Sequence, residues 1–543
     1  MARPDPLDQE EGLTPGRFGH APSLWLALPL LAGCALDAGW DFSPGWPIIV
    51  GVTAAAALWR LHHRPLLGPA LIVLAGMSLG CAWHHLRKAP RGPVTVRRAF
   101  DEISVRIERA APRAKTEDGW TGLGVVTDRD GPYHRRRMVL SGRGRCPTAG
   151  QELRLAGRLS ALERETGGYA SWARSQGATL RLAGARTLGV LEPASDFAEW
   201  CRGRRERLDL WLRTAPWPDE TGGALLAATL LGRTALIPPA EREAFERTGT
   251  LHLFAISGLH IAGMAAAMAW AARRLRLPSL PAGLAGLAAL WTYVQVTGAA
   301  PSATRAWIMA ACLWAGRLGG RHASPVQSLG VACAVTLTLS PEACSDAGFQ
   351  LSYLAVAALL MSGGPAAQLL TGPSEAELAT PPSARPMLAR FTGRLRRAVV
   401  GGLCVSFSAG VAGAPLTLAA FGTASWGGVF ANLALVPMSA PPLLLGMASA
   451  ACMIWEPLLA GAVWLNGAAA AWLRMMGWLA ERMAATPGLT ATMEGLPAWT
   501  GPAWAGGLLV LLLSQAESES PKRLLGGPVL ALALWVATCA SLF

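Results

Sequence analysis

Long apolar stretches alternate with short polar ones along most of this chain, and their spacing predicts helices that cross a membrane. Runs without Asp, Glu, Lys or Arg cover residues 18–36, 42–59, 65–86, 248–272, 277–304, 322–341, 347–374, 398–455, 457–473, 495–516 and 524–543. A helix needs about 20 apolar residues to cross roughly 30 Å of hydrocarbon, and most of these runs approach or exceed that length. The run from 398 to 455 holds two crossings, so about eleven to thirteen spans are expected. One interval breaks the pattern. Between 84 and 215 short β-type runs recur at Trp120–Val126, Arg137–Leu140, Glu152–Leu159 and Thr179–Leu182, separated by turns such as Asp130-Gly131-Pro132 and Ala149-Gly150. That spacing predicts a small β-barrel, followed by a polar helix over Arg202–Arg213 that leads back to the membrane.

Composition agrees with the pattern. Of 543 residues 52% are hydrophobic and 15% charged, and mean hydropathy is +0.33, which excludes an ordinary soluble protein. Residues 84–215 carry 26 Lys and Arg against 15 Asp and Glu, a net +11 of the chain's +13. A basic soluble insert attracts polyanions or anionic head groups through salt-dependent forces. A GC-rich genome is the plainer source of the excess, since only Lys88, Lys115 and Lys522 among 48 basic residues are Lys. Short loops alternate between basic (Arg60 and Arg64; Arg273, Arg274 and Arg276; Arg317 and Arg321; Arg385–Arg397) and Lys/Arg-free (Asp37–Trp46, 298–302, 341–346). The positive-inside rule then places the N-terminus in the cytoplasm and residues 84–215 outside. The ten Cys show no metal-ligand spacing and read as small core residues; Cys146 and Cys201 form a disulfide only if the insert folds in an oxidising compartment.

Polar residues inside spans are costly and ask for a reason. The segment from Arg247 reads RTGTLHLFAISGLHI, with His252 and His260 around Ser257-Gly258. The two His share a face if the helix is continuous, while the Ser-Gly pair favours a break of the kind that lines a water-filled path. Helix packing by hydrogen-bonded His is the plainer reading. In TGAAPSATRAW, Pro301-Ser302 starts a helix and Arg305 sits one turn in, an arrangement suited either to an anion or to snorkelling at the interface. Asp346, Gln350 and Tyr353 share a helix face, and Asp346 either pairs with Arg305 or caps its helix. Pro415, Gly422, Asn432 and Pro437 are expected to break two long spans. On the insert, Arg135, Arg136, Arg137, Arg143 and Arg145 form a candidate phosphate-binding edge, with Trp120, Tyr133, Tyr169 and Trp172 as a thin set of aromatic partners.

Four blocks in order carry a resemblance: Gly249–His260 (GTLHLFAISGLH), Pro301–Ala306 (PSATRA), Gly348–Ser352 (GFQLS) and Asn432–Pro437 (NLALVP). They resemble the competence domain of the ComEC family of bacterial DNA-uptake channels, and the likeness covers most of residues 20–515. It implies a polytopic α-helical membrane protein with a small, OB-like extracytoplasmic β-barrel insert. Its parts are an N-terminal membrane segment of about three spans (1–83), the basic OB-like insert (84–215), a competence-type channel domain (216–515) and a C-terminal loop and last span (516–543). The implied function is a multi-pass channel of the bacterial cytoplasmic (inner) membrane that passes single-stranded DNA inward during natural transformation. Its pathway residues are His252, Ser257, Gly258, His260, Ser302, Arg305, Asp346, Gln350 and Asn432. Single-stranded DNA and membrane lipids are the expected partners, with a separate DNA receptor, nuclease and cytoplasmic motor.

Two departures from the family pattern matter. Many relatives carry a metallo-β-lactamase-like domain with a His-x-His-x-Asp-His motif, which this sequence lacks; His62-His63 and His84-His85 read as loop doublets. Glu165–Tyr169 stands where an Asn-Pro-Gly turn often follows the barrel. No Walker A motif is present, so no catalytic residue, metal or cofactor is expected. A secondary transporter or a flippase of a lipid-linked substrate is the rival reading. An enzyme built on His252, Ser257 and His260 is disfavoured because no carboxylate in the span orients either His, and a family member no longer used for transformation has the same sequence signature.

Overall fold

The computed structural model describes residues 22–40, 45–61, 67–87, 96, 100–112, 119–129, 131–162, 173–174, 176–213, 220–256, 258–318, 324–372, 387–425, 427–453, 455–486, 490–492, 496, 500–515 and 520–540. Ser257, Tyr169, Trp172, the His62-His63 pair, Asp130 and the Glu165–Tyr169 turn fall outside them. Three helices come first: α1 (Pro22–Trp40), α2 (Gly45–Leu61) and α3 (Leu67–Arg87). Five strands follow: β1 (Phe100–Pro112), β2 (Gly119–Val126), β3 (Arg137–Arg143), β4 (Glu152–Ala161) and β5 (Ala178–Glu192). Next are α4 (Asp196–Arg213), α5 (Glu220–Leu231), α6 (Pro239–Arg247), α7 (Gly258–Arg274), α8 (Ser279–Val296), α9 (Pro301–Leu318) and α10 (Pro325–Leu339). The remainder is α11 (Ala347–Thr371), α12 (Met387–Phe421), β6 (Thr423–Ser425), α13 (Gly428–Cys452), α14 (Leu459–Ala484), β7 (Thr490–Thr492), α15 (Thr500–Gln515) and α16 (Pro521–Ala540).

Among the described residues three helices are long and apolar enough to cross a membrane: Ala347–Thr371, Met387–Ala420 and Gly428–Cys452. The last two divide the 398–455 run as its length requires. Pro415 does not break α12, nor do Pro437, Pro441 and Pro442 break α13. The expected breaks there are corrected, because packed neighbours re-satisfy the backbone groups that Pro frees in an apolar helix. The interruption falls instead at Gly422, at φ +71°, where β6 leaves the helix axis to pair antiparallel with β7.

A second correction concerns the ends of α1 and α3. Asp37 reads from the sequence as the start of a loop and His84 as half of a loop doublet, yet both lie inside helices and are buried. The His84 Nδ1–H donates to Asp37 Oδ2 (2.7 Å), and His85 Nδ1 lies 3.3 Å from Asp37 Oδ1. Pairing and hydrogen bonding make ionisable groups tolerable at such a depth.

The strands close into a barrel in the order β1-β2-β3-β5-β4. All pairs are antiparallel except β3 with β5, and β1 meets β4 to close the ring. Alternation fills the interior: Ile103, Val105 and Ile107 of β1 point inward against Met138, Leu140, Leu155, Leu180 and Leu182. Trp120 and Tyr133 belong to this core, 1% and 4% exposed, so neither is free to stack on a ligand. Gly142 admits Trp120, since a Cβ there would lie 2.6 Å from both the indole and the Ala185 carbonyl. Gly142→Val should therefore destabilise the barrel by about 2 kcal/mol through overpacking. The check is limited proteolysis of the membrane-embedded protein, in which the variant's barrel is cut faster than the wild type's. Cys146 and Cys201, whose pairing the sequence leaves open, are both free thiols.

Candidate functional site

The site begins where the chain fails to continue a helix. α6 ends at Arg247, Thr248 turns its hydroxyl back onto the Ala244 carbonyl (2.9 Å), and Gly249 takes φ +68°. A short 3-10 turn over Leu251–Leu253 follows, and α7 starts only at Gly258. Phe254 is held edge-on to Phe245 at 4.6 Å, so the break is packed. His252 and His260 therefore sit on different elements rather than on one helical face, as a continuous helix would have placed them. His252 is exposed and donates from Nδ1 to the Gly249 carbonyl (3.0 Å). His260 is 2% exposed in the first turn of α7.

α9 is fastened to this break, because Ser302 donates to the Ile256 carbonyl at 2.9 Å. Three residues further on, Arg305 is 6% exposed. Its Nη2 donates to the Gly348 carbonyl (2.8 Å), its Nε has no partner, and among the described residues no carboxylate lies within ion-pair distance of it. Asp346 and Arg109 of β1 act on it electrostatically from further away. The two sequence readings of Asp346 both need amending. It occupies the N-cap position of α11 without a side-chain cap bond, and its Oδ1 accepts from Gln176 of the barrel (3.1 Å). Gln350 donates to the Cys344 carbonyl (2.9 Å), and the Tyr353 hydroxyl lies 2.8 Å from that of Thr336.

The barrel thus rests on the segment that joins α10 to α11, and Arg137 makes the second fastening. Its guanidinium pairs with Glu108 (2.9 Å) in its own barrel and with Glu342 before α11, and it also donates to the Gln176 carbonyl (2.9 Å). Burial opposes the Arg137 charge, but the carboxylates of Glu108 and Glu342 outweigh it and raise the pKa. Arg137 is committed to this junction and is not free to meet a ligand. Nor do the five predicted arginines share one edge. β3 separates Arg135 and Arg136 from Arg143 and Arg145 by about 20 Å at 3.3 Å per residue. Arg135, Arg143 and Arg145 are exposed and Arg136 is half-buried. Asn432 lies in the second turn of α13, its Oδ1 buried and without a hydrogen-bond partner.

The element that sequence reading underrated is α4. At its start Glu199 accepts from Thr148 of the barrel (2.9 Å) and from Arg202 (2.6 Å); the Arg202 bond chiefly holds its carboxyl below the usual range. At its end Trp211 donates to Ser449 of α13 (3.0 Å), and Asn466 of α14 donates to the Trp211 carbonyl (3.2 Å). Midway, burial and the neighbouring Arg233 charge lower Arg205 to about 10. α4 is a strut between barrel and helices, and the signal for it lay in the i, i+3 and i+4 pairing of Glu199, Arg202 and Glu206.

Residues 229–517 match the family model described as "Competence protein". ComE operon protein 3 of Bacillus subtilis is 32% identical over 145 residues, covering 27% of this chain and 18% of that protein. Competence protein ComA of Neisseria gonorrhoeae is 32% identical over 253 residues, 42% of this chain and 33% of that protein. The chain therefore spans a third or less of the length of either relative. No solved structure matches.

Proposed function

Because the chain belongs to the ComEC family of competence proteins, we propose that it conducts a single DNA strand inward across the bacterial cytoplasmic membrane. In this reading the N-terminus is cytoplasmic, about eleven to thirteen helices span the bilayer, and the barrel stands outside. The strand order supports an OB-like insert, a five-stranded Greek-key barrel of the class that holds oligonucleotides.

One observation carries the proposal: Arg305 is a buried guanidinium bonded to the Gly348 carbonyl, and among the described residues no carboxylate lies within ion-pair distance of it, Asp346 acting only from further away. A buried charge without a counter-ion is costly. A polyanion passing the junction supplies one, and a phosphate accepts two donors from a guanidinium fork. The broken segment beside it, tied to α9 by Ser302, is the kind of irregular backbone that membrane proteins place along a polar path. The strand receptor, the nuclease and the motor are assigned to other proteins.

The test is binding of a single-stranded oligonucleotide to the full-length protein in lipid nanodiscs across a salt series. For each phosphate engaged, log K should fall against log salt with a slope of about −0.7. A protein that ignores oligonucleotides but binds a small solute or a lipid head group would instead be a transporter or flippase.

A further inference from the structure

The predicted aromatic partners inside the barrel are unavailable, since Trp120 and Tyr133 are core residues. A stacked and exposed aromatic pair lies on the helix that follows the barrel. Phe197 and Trp200, one turn apart on α4, are each 47% exposed. Their rings are near parallel, 14° apart in plane with centroids 6.1 Å apart. The guanidinium of Arg204, one further turn along, lies over the Trp200 ring at 5.3 Å. Spacings of three and four place all three side chains on one helical face. The roll of the helix is fixed by Glu199, whose carboxylate accepts from Thr148 (2.9 Å) and Gln151 (3.3 Å) of the barrel.

We propose that Phe197, Trp200 and Arg204 form a stacking platform for the bases of a single-stranded polynucleotide. The face is unlike an ordinary apolar patch in two ways. Its rings are co-oriented and topped by a cation, which suits π-faces and adds a cation–π term. Its surroundings are net basic, although Asp196 is exposed one turn before Trp200 and Glu206 is exposed but paired with Arg202: Arg207 is exposed on the same helix, and exposed Arg145 acts electrostatically on Glu199 from beyond the end of β3, next to exposed Arg143. Positive charge around stacked aromatics complements phosphates around stacked bases. This inference rests on the proposed function, and it gives the strand a place to lie as it approaches the junction, with Arg143 and Arg145 facing its backbone.

Binding of fluorescein-labelled oligothymidylate, and of an abasic oligomer of equal length, to the full-length protein in nanodiscs separates stacking from charge. Trp200→Ala and Phe197→Ala should each weaken oligothymidylate binding by on the order of tenfold and leave the abasic oligomer unchanged. Trp200→Phe should restore most of the affinity, whereas Trp200→Leu, which keeps apolar bulk, should not. Unchanged oligothymidylate affinity in both alanine variants overturns the platform while leaving the proposed function intact. So does full activity of Trp200→Leu, which marks the face as a bilayer or protein contact. Failure of the wild-type protein to bind either oligomer overturns both.

Discussion

Replacing Arg305 by alanine should cut DNA entry into the cytoplasm at least tenfold while the protein accumulates in the membrane at its normal level. Arg305 contributes little to the fold, because among the described residues its guanidinium bonds the Gly348 carbonyl and no carboxylate lies within ion-pair distance of it. Removing the cation relieves a desolvation cost at the expense of one unpaired carbonyl, roughly 1–3 kcal/mol in the other direction. The loss falls on the strand. A charge-assisted bond to phosphate contributes about 1.5–3 kcal/mol, so the variant should lose at least tenfold in uptake. Arg305→Lys keeps the charge without the fork and should fall between. Uptake measured by protection of labelled DNA against external nuclease, together with an immunoblot of the membrane fraction, checks both halves. Normal uptake in Arg305→Ala would remove this residue from the path.

Reversing the charge at Arg137 should be nearly as damaging, for a different reason. Arg137→Glu places a third carboxylate beside Glu108 and Glu342, which now share the guanidinium. Breaking a largely buried pair in this way costs about 3–5 kcal/mol, enough to lift the barrel from the membrane helices. Glu342→Arg alone should fail similarly by facing Arg137. Joining the two substitutions rebuilds the contact with its ends exchanged and should recover a substantial part of uptake. If the double variant is no better than Arg137→Glu, the Glu108 pair inside the barrel matters and the junction does not.

Much of the architecture could be read from the chain. The apolar runs located the long helices, the Gly-punctuated alternation found four of the five strands, and the Pro-Ser-x-x-Arg spacing put Arg305 one turn inside α9. β1 escaped because charged residues crowd it, with Glu102, Arg106 and Glu108 on its outward positions and Asp101 and Arg109 beyond the ends of the apolar alternation, so Ile103, Val105 and Ile107 did not stand out. Asp37 escaped because a charge-free-run criterion ends a span at its first carboxylate, His84 because a His doublet near a span end reads as a loop, and neither reading sees that two residues 47 positions apart meet as a pair. The same blindness made Arg137 look like free surface charge, since its partner Glu342 is 205 positions away. Residue type misled about the aromatics. Trp and Tyr were expected at a surface, but inward alternation buried Trp120, and the exposed rings lay on a helix noticed only for its arginines.

The most direct test is the fate of labelled DNA in competent cells from which this chain has been deleted, scored separately for DNA held outside the cytoplasmic membrane and DNA inside the cytoplasm. A strand-conducting channel predicts DNA bound outside and none inside, with entry restored by the wild-type chain but not by Arg305→Ala. Undiminished entry into the cytoplasm of the deletion strain would contradict it.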